Sequence, residues 1–168
     1  MNCYLRSWKL EDAEDLASLL NNKKIQDNLR DGLPFPYTVG DAEDYIRMTL
    51  DADKNKTFVF VITASDKVIG SIGIFRRENI HYRTAELGYY ISEQYWGQGY
   101  GTSAVIQICC LVFETTDILR IFAEPFAYNH ASCRVLEKAG FSFEGLLRKN
   151  AVKNGVVTDT KMYALVKD

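Results

Sequence analysis

The segment Gly97-Gln98-Gly99-Tyr100-Gly101-Thr102 sets a glycine at every second position between residues that read as a strand, ending at Ile91-Ser92, and residues that read as a helix, beginning near Thr102. A strand-to-helix turn without Cβ atoms at 97, 99 and 101 lets successive N–H groups converge, and the positive end of the following helix adds to their field. Such a turn is an anion cradle or, at its plainest, a tight connection between two elements.

Two phosphate loops of known pattern compete for it. A P-loop requires Gly-x-x-x-x-Gly-Lys-Ser/Thr, and neither Gly-Lys-Ser nor Gly-Lys-Thr occurs in the chain. The dinucleotide fingerprint G-x-G-x-x-G/A is satisfied by Gly99-Tyr100-Gly101-Thr102-Ser103-Ala104, with Glu124 about 20 residues further on at a strand end. The surroundings argue against a doubly wound sheet. The strands before the turn read as antiparallel, and the tail after Glu124 ends in a hairpin rather than in further βα units.

Around the turn the chain alternates continuously, with no repeat, low-complexity tract or linker. A strand at Tyr4–Trp8 precedes an amphipathic helix over Glu11–Leu20, acidic in its first turn and apolar at Leu16, Leu19 and Leu20. A short helix follows over Lys24–Arg30. Gly32-Leu33-Pro34-Phe35-Pro36-Tyr37 cannot continue it, because each proline disfavours helical geometry in the residue before it. Thr38 then reads as the N-cap of a helix reaching about Asp51.

The pattern next switches to short apolar runs at Thr57–Thr63, Val68–Phe75 and Ala85–Ser92, three strands of an antiparallel meander. Thr102–Thr115 reads as a buried helix, Ile118–Pro125 as a strand, and Asn129–Lys138 as a helix closed by Gly140. Asn154-Gly155 marks a terminal hairpin. The expectation is one α+β domain spanning residues 1–168, a central mixed, mostly antiparallel sheet flanked by helices.

A chain of 168 residues with 47% apolar side chains fills one core, not two. A net charge of −2 with dispersed Lys and Arg gives no footprint for nucleic acid. No window approaches a membrane span and the N-terminus lacks a signal-peptide pattern, so the reading is cytoplasmic, with no membrane partner, as a monomer or homodimer. Cys3, Cys109, Cys110 and Cys133 lack any CxxC spacing and only two histidines exist, so four free thiols and no metal are expected.

Gln94-x-x-Gly97-x-Gly99 resembles the Q/R-x-x-G-x-G/A signature of the GNAT acetyltransferases. Asn129-x-x-Ser132-x-Arg134-Val135-Leu136-Glu137-Lys138-x-Gly140-Phe141-x-x-Glu144-Gly145 resembles the downstream block of their RimJ/RimL branch, as do Ala85-Glu86-Leu87-Gly88-Tyr89 and Tyr95–Tyr100. Ser103 departs from the pattern, since many relatives carry Glu there. The resemblance spans the chain and implies a sheet splayed between its fourth and fifth strands, the strands ending near Ser92 and beginning near Leu119. It implies acetyl-CoA as acyl donor, bound by Tyr90, Ile91, Gln94, Gly97, Gln98, Gly99, Tyr100, Gly101, Thr102 and Asn129. It further implies transfer to a primary amine, either a protein N-terminus or a polyamine or other small amine, by direct attack on the thioester. A non-catalytic CoA-binding module of the same fold is the alternative.

An amine attacks only when neutral, which at pH 7 costs about 1 kcal/mol for an α-amine and about 4–5 kcal/mol for a lysine side chain. A general base therefore helps, and the resemblance implies Glu86, on the strand leading to the glycine turn, as that base or as a carboxylate that binds a cationic acceptor. Its plainer reading is a strand residue facing solvent or pairing with Arg83. Ser132 and Tyr128 both qualify as the acid that protonates the departing thiolate, and backbone N–H groups around Tyr90 or Ile91 as donors to the acyl oxygen. Asn129 suits either the pantetheine amides or a helix N-cap. His130 and His81 read as surface residues, Cys109 and Cys110 as core. The acidic N-terminal helices and the Leu33–Tyr37 loop are expected to border the acceptor cleft.

Overall fold

The computed structural model describes residues 2–168. Seven strands form one sheet in the order β1-β2-β3-β4-β5-β7-β6. They are β1 Tyr4–Arg6, β2 Thr57–Ala64, β3 Lys67–Arg76, β4 Thr84–Ile91, β5 Arg120–Ala123, β6 Ser142–Lys153 and β7 Val156–Val166. Helices α1 Ala13–Leu20, α2 Lys23–Gln26, α3 Val39–Asp51, α4 Tyr100–Thr115 and α5 His130–Lys138 cover its faces. All neighbours pair antiparallel except β4 and β5, so the sheet is mixed and the dinucleotide reading, which needs a doubly wound parallel sheet, fails. A parallel pair requires a long crossover, and α4 is that crossover.

Each face of the sheet carries its own core. Ile72 and Ile74 of β3, Ala85 and Leu87 of β4 and Ile121 of β5 pack beneath Val105, Ile108 and Val112 of α4 and Leu136 of α5. Trp8, Leu16, Leu20, Ala42 and Ile46 fill the other face under α1 and α3. Each fully buried isoleucine or leucine contributes about 1.5–3 kcal/mol from leaving water, which fixes the sheet against both helical layers. The β2–β3 register shifts between Ile62 and Thr63, and the extra β3 residue, Ile69, turns into the same core as Ile72.

The N-terminal elements are shorter than their sequence pattern. The first strand stops at Arg6, whose guanidinium grips Asp12 through Nη1 and Nη2 at 2.8 and 2.9 Å. Against the pull of burial, those bonds and the Lys9 amide hold the Asp12 carboxyl below its usual range. The first helix accordingly opens with a 3-10 turn at Leu10–Asp12. Helix α2 ends at Gln26 rather than Arg30, because residues 27–31 are drawn into contacts across the molecule. Thr38 caps α3 as expected, its hydroxyl accepting from the Asp41 N–H at 3.1 Å. Cys109 is buried, whereas Cys110 lies on the solvent side of α4 and is not core. Among the described residues the cysteines are free thiols, no helix is long and apolar enough to cross a membrane, and no cluster of metal-ligating side chains occurs.

Candidate active site

Strands β4 and β5 pair only at Thr84, Ala85 and Glu86, opposite Arg120, Ile121 and Phe122. Beyond Glu86, Leu87–Ile91 continue along β3 but have no partner on the β5 side, so the sheet opens into a V at its centre. Ser92 N donates to Ile69 O at 2.7 Å, which sets the antiparallel alternation. By that alternation the Tyr90 amide is committed to β3, while the amides of Tyr89 and Ile91 face the opening. Of the two residues the sequence suggested as donors, the register selects Ile91 and adds Tyr89. Trp96 Nε1 donates to Ile91 O at 2.7 Å and ties the glycine turn to the end of β4.

Gly97 and Gly99 have φ of 72° and 86°, a region that favours glycine, and Gly99 is the N-cap of α4. A glycine cap offers no side chain to the first-turn amides, and no cap bond is made. The N–H groups at the start of α4 thus point outward with the helix dipole behind them, a fit for phosphate. Gly101 differs from its neighbours. It is buried inside the first turn, and a Cβ there would touch Val135 of α5 and Tyr89, so its missing side chain serves helix packing while its N–H remains one of the uncapped first-turn amides. Gln98 Nε2 folds back onto Gln94 O at 2.9 Å. The Gln94 side chain borders a polar depression shared with Asn21, Ser92 and Glu93 on the α1 side. Gly99 and Thr102 line an open depression whose far wall is Ile106 and Lys138.

Asn129 caps α5, its Oδ1 accepting from the Ser132 N–H at 3.2 Å, and its NH2 group stays outside that bond. Ser132 Oγ lies 2.9 Å from the hydroxyl of Tyr89, on the splayed part of β4. Burial pushes the Tyr89 hydroxyl up to about 12, against a smaller downward pull from Ser132, so it stays protonated through the neutral range. Nothing in the sequence signals Tyr89, because the pairing of residues 43 apart exists only in the fold. Tyr128 Oη donates to Asp27 O at 2.6 Å, and its ring stacks on Phe126, so its hydroxyl faces the α2–α3 connection rather than Ser132.

On the opposite face, alternation along β4 and β5 puts Glu86, Gly88, Phe122 and Glu124 together. The Glu86 carboxylate is met by Arg30 on one oxygen and by Arg77 at 3.7 Å on the other. Arg83, one partner the sequence offered, pairs with Asp117 instead. Arg77 also lies over the Phe122 ring, 5.8 Å from its centroid. Glu124 accepts from Asn150 Nδ2 at 2.5 Å and Thr160 Oγ1 at 3.0 Å. In the sequence that second carboxylate beside the V stood out only as the strand-end acid of the dinucleotide fingerprint, a reading the sheet excludes.

The segment 27–31 crosses this face as a strap, held by Tyr128 at Asp27, by Asn154 Nδ2 at Asp27 Oδ1 (3.0 Å) and by Lys153 Nζ at Asp31 Oδ1 (2.8 Å). The Leu33–Tyr37 loop contributes less than its aromatics suggested. Tyr37 is buried in the second core and pinned by Asn21, while Phe35 is exposed beneath Lys23. His81 and His130 are exposed, and Cys133 is buried against the core.

A family model described as an acetyltransferase (GNAT) domain matches residues 2–142. The chain belongs to the GNAT acetyltransferase family. This acetyltransferase is 31% identical to a probable N-acetyltransferase of Bacillus subtilis (strain 168), YjcK, over 97% of its own length and 93% of the relative's. Its fold matches that of RimL, a ribosomal L7/L12 alpha-N-protein acetyltransferase solved in complex with coenzyme A, with TM-score 0.88, 22% identity, and coverage of 100% of this chain and 96% of that one. It also matches a spermidine N-acetyltransferase from Vibrio cholerae, solved with CoA and spermine, at TM-score 0.81 and 22% identity over 98% of this chain and 95% of that one. These two neighbours of like fold are named for different amines, a ribosomal protein N-terminus and spermidine.

Proposed function

We propose that this acetyltransferase moves an acetyl group from acetyl-CoA to a primary amine by direct attack across the V between β4 and β5. The observation that carries the proposal is the junction itself: uncapped amides of α4 on one side, the Ser132–Tyr89 hydroxyl pair beside the opening, and Glu86 and Glu124 on the far face. The solved relatives that hold CoA support the same donor here.

Acetyl-CoA supplies an activated thioester when bound. The first-turn amides from Tyr100 to Thr102 receive the pyrophosphate, and the NH2 group of Asn129 reaches the pantetheine amides. The Ile91 N–H donates to the acyl oxygen. Glu86 or Glu124 takes the amine proton, directly or through water, which matters most for an acceptor whose amine is charged at neutral pH. Ser132 Oγ, backed by the protonated Tyr89 hydroxyl, gives a proton to the departing sulfur. Tyr128 is the weaker candidate for that step, because its hydroxyl is engaged by the Asp27 carbonyl.

The test is a panel of amines (peptide N-termini, amino acids, polyamines) offered with acetyl-CoA and scored by free-thiol release, for wild type, Glu86→Gln and Glu124→Gln. Turnover with at least one amine, reduced in one of the two variants, is expected. Tight acetyl-CoA binding with no amine acetylated overturns the proposal in favour of a non-catalytic CoA-binding protein.

A further inference from the structure

Two guanidinium groups converge on one carboxylate at the edge of the acceptor face, more than a structural ion pair requires. We propose that Arg30 and Arg77 select the acceptor, which is an amine carrying a carboxylate close to its reacting nitrogen. The proposal rests on the acetyl-transfer reading above and names the substrate class of that site.

Position comes first. Glu86 is the last residue of β4 paired to β5, and Gly88, on the same face, is exposed, with nothing within 4 Å of where a Cβ would stand. An amine over that open position, at the mouth of the V, lies beside the Arg30–Glu86–Arg77 triad. The guanidiniums keep donors to spare. Glu86 is 16% exposed, whereas the side chains of Arg30 and Arg77 are 76% and 53% exposed, and each guanidinium carries five N–H groups. Arg77 is steadied over Phe122, so its planar fork is held where a carboxylate can meet it edge-on.

Charge points the same way. The triad itself, two guanidiniums and one carboxylate, is one positive charge in excess. Asp31 on the strap is cancelled by Lys153, while Asp27, three residues before Arg30, is held by the neutral Asn154 and keeps its charge. Glu124, two residues beyond Phe122 on β5, is held by the neutral donors Asn150 and Thr160, which leaves its charge to attract an ammonium. The face is therefore bipolar, with guanidinium at one edge and carboxylate at the other. An amino-carboxylate matches both poles. A polyamine adds cations beside Arg30 and Arg77. Nor is Arg30 needed to anchor the strap, since exposed ion pairs stabilise little and Tyr128, Asn154 and Lys153 already hold it.

The carboxylate has two sources: the α-carboxylate of a free amino acid, or an acidic side chain next to a peptide's N-terminus. Matched acceptors separate them. Alanine is compared with alaninamide, and a Ser-Glu peptide with its Ser-Gln counterpart, at equal concentrations of neutral amine, with spermidine as the cationic reference. In one of the two pairs the carboxylate member is expected to exceed its amide in kcat/KM on the order of tenfold, the scale of one charge-assisted hydrogen bond. In Arg30→Gln and Arg77→Gln that ratio collapses towards one, chiefly through the KM of the carboxylate member, and Arg77→Lys recovers part of it. Binding of acetyl-CoA to each variant reports that it has folded. Amides equal to or better than both carboxylates, spermidine preferred over all, or a ratio indifferent to both arginines would overturn the proposal while acetyl transfer stands. Failure of every amine would bring down both readings together.

Discussion

At the scale of single residues, the hydroxyl pair of Ser132 and Tyr89 is the most decisive pairing in the site. Ser132 is fixed twice, by the Asn129 cap on its N–H and by Tyr89 at its Oγ. A positioned acid contributes about 10²–10⁴-fold to such a step, so Ser132→Ala is expected to lower kcat by about 10²-fold while the KM for acetyl-CoA moves little. Tyr128→Phe, whose hydroxyl serves a backbone carbonyl on the strap, is expected to cost far less in steady-state assays. Equal losses in the two variants would count against this division. The sequence held Ser132, Asn129 and Glu86 in view because each stands in a short local pattern. It could not show Tyr89, Arg30 or Arg77, since their roles come from side chains brought together over long separations. Nor could it show which cations Glu86 meets, since the neighbour it offered as one alternative, Arg83, is engaged elsewhere. Arg83 is near in sequence, but its Nε is drawn to the Asp117 carbonyl.

At the scale of elements, the turn before α4 joins local conformation to binding. Gly99 holds a left-handed φ at the N-cap with open space around it, so a larger residue suffers from backbone strain rather than from crowding. Gly99→Val forces a β-branched side chain into that conformation at about 1–2 kcal/mol. The expected relief is a rotation of the turn that misdirects the first amides of α4. Titration with acetyl-CoA should then show affinity weakened by about tenfold or more, and an unchanged affinity would contradict the cradle. Element types and order were legible in the sequence, from Asn154-Gly155 at the hairpin to the Thr38 cap of α3. Boundaries were less so. Helix α2 stops four residues early because the strap residues find partners in β4 and the β6–β7 turn, a tertiary demand that periodicity does not carry.

At the scale of the whole molecule, the two cores hold apart what the reaction needs apart. One packs α4 and α5, with the cradle and Ser132, against one face of the sheet, and the other packs α1 and α3 against the face that bears Glu86 and the strap. In the proposed mechanism donor and acceptor approach through the same gap from opposite sides, and the acetyl group has no need to rest on the protein. The most direct measurement is the initial rate of thiol release with acetyl-CoA and an accepted amine both varied. Direct transfer requires both to be bound at once, so double-reciprocal plots are expected to intersect. Parallel lines, with an acetyl group retained on the protein when the amine is withheld, would contradict the account.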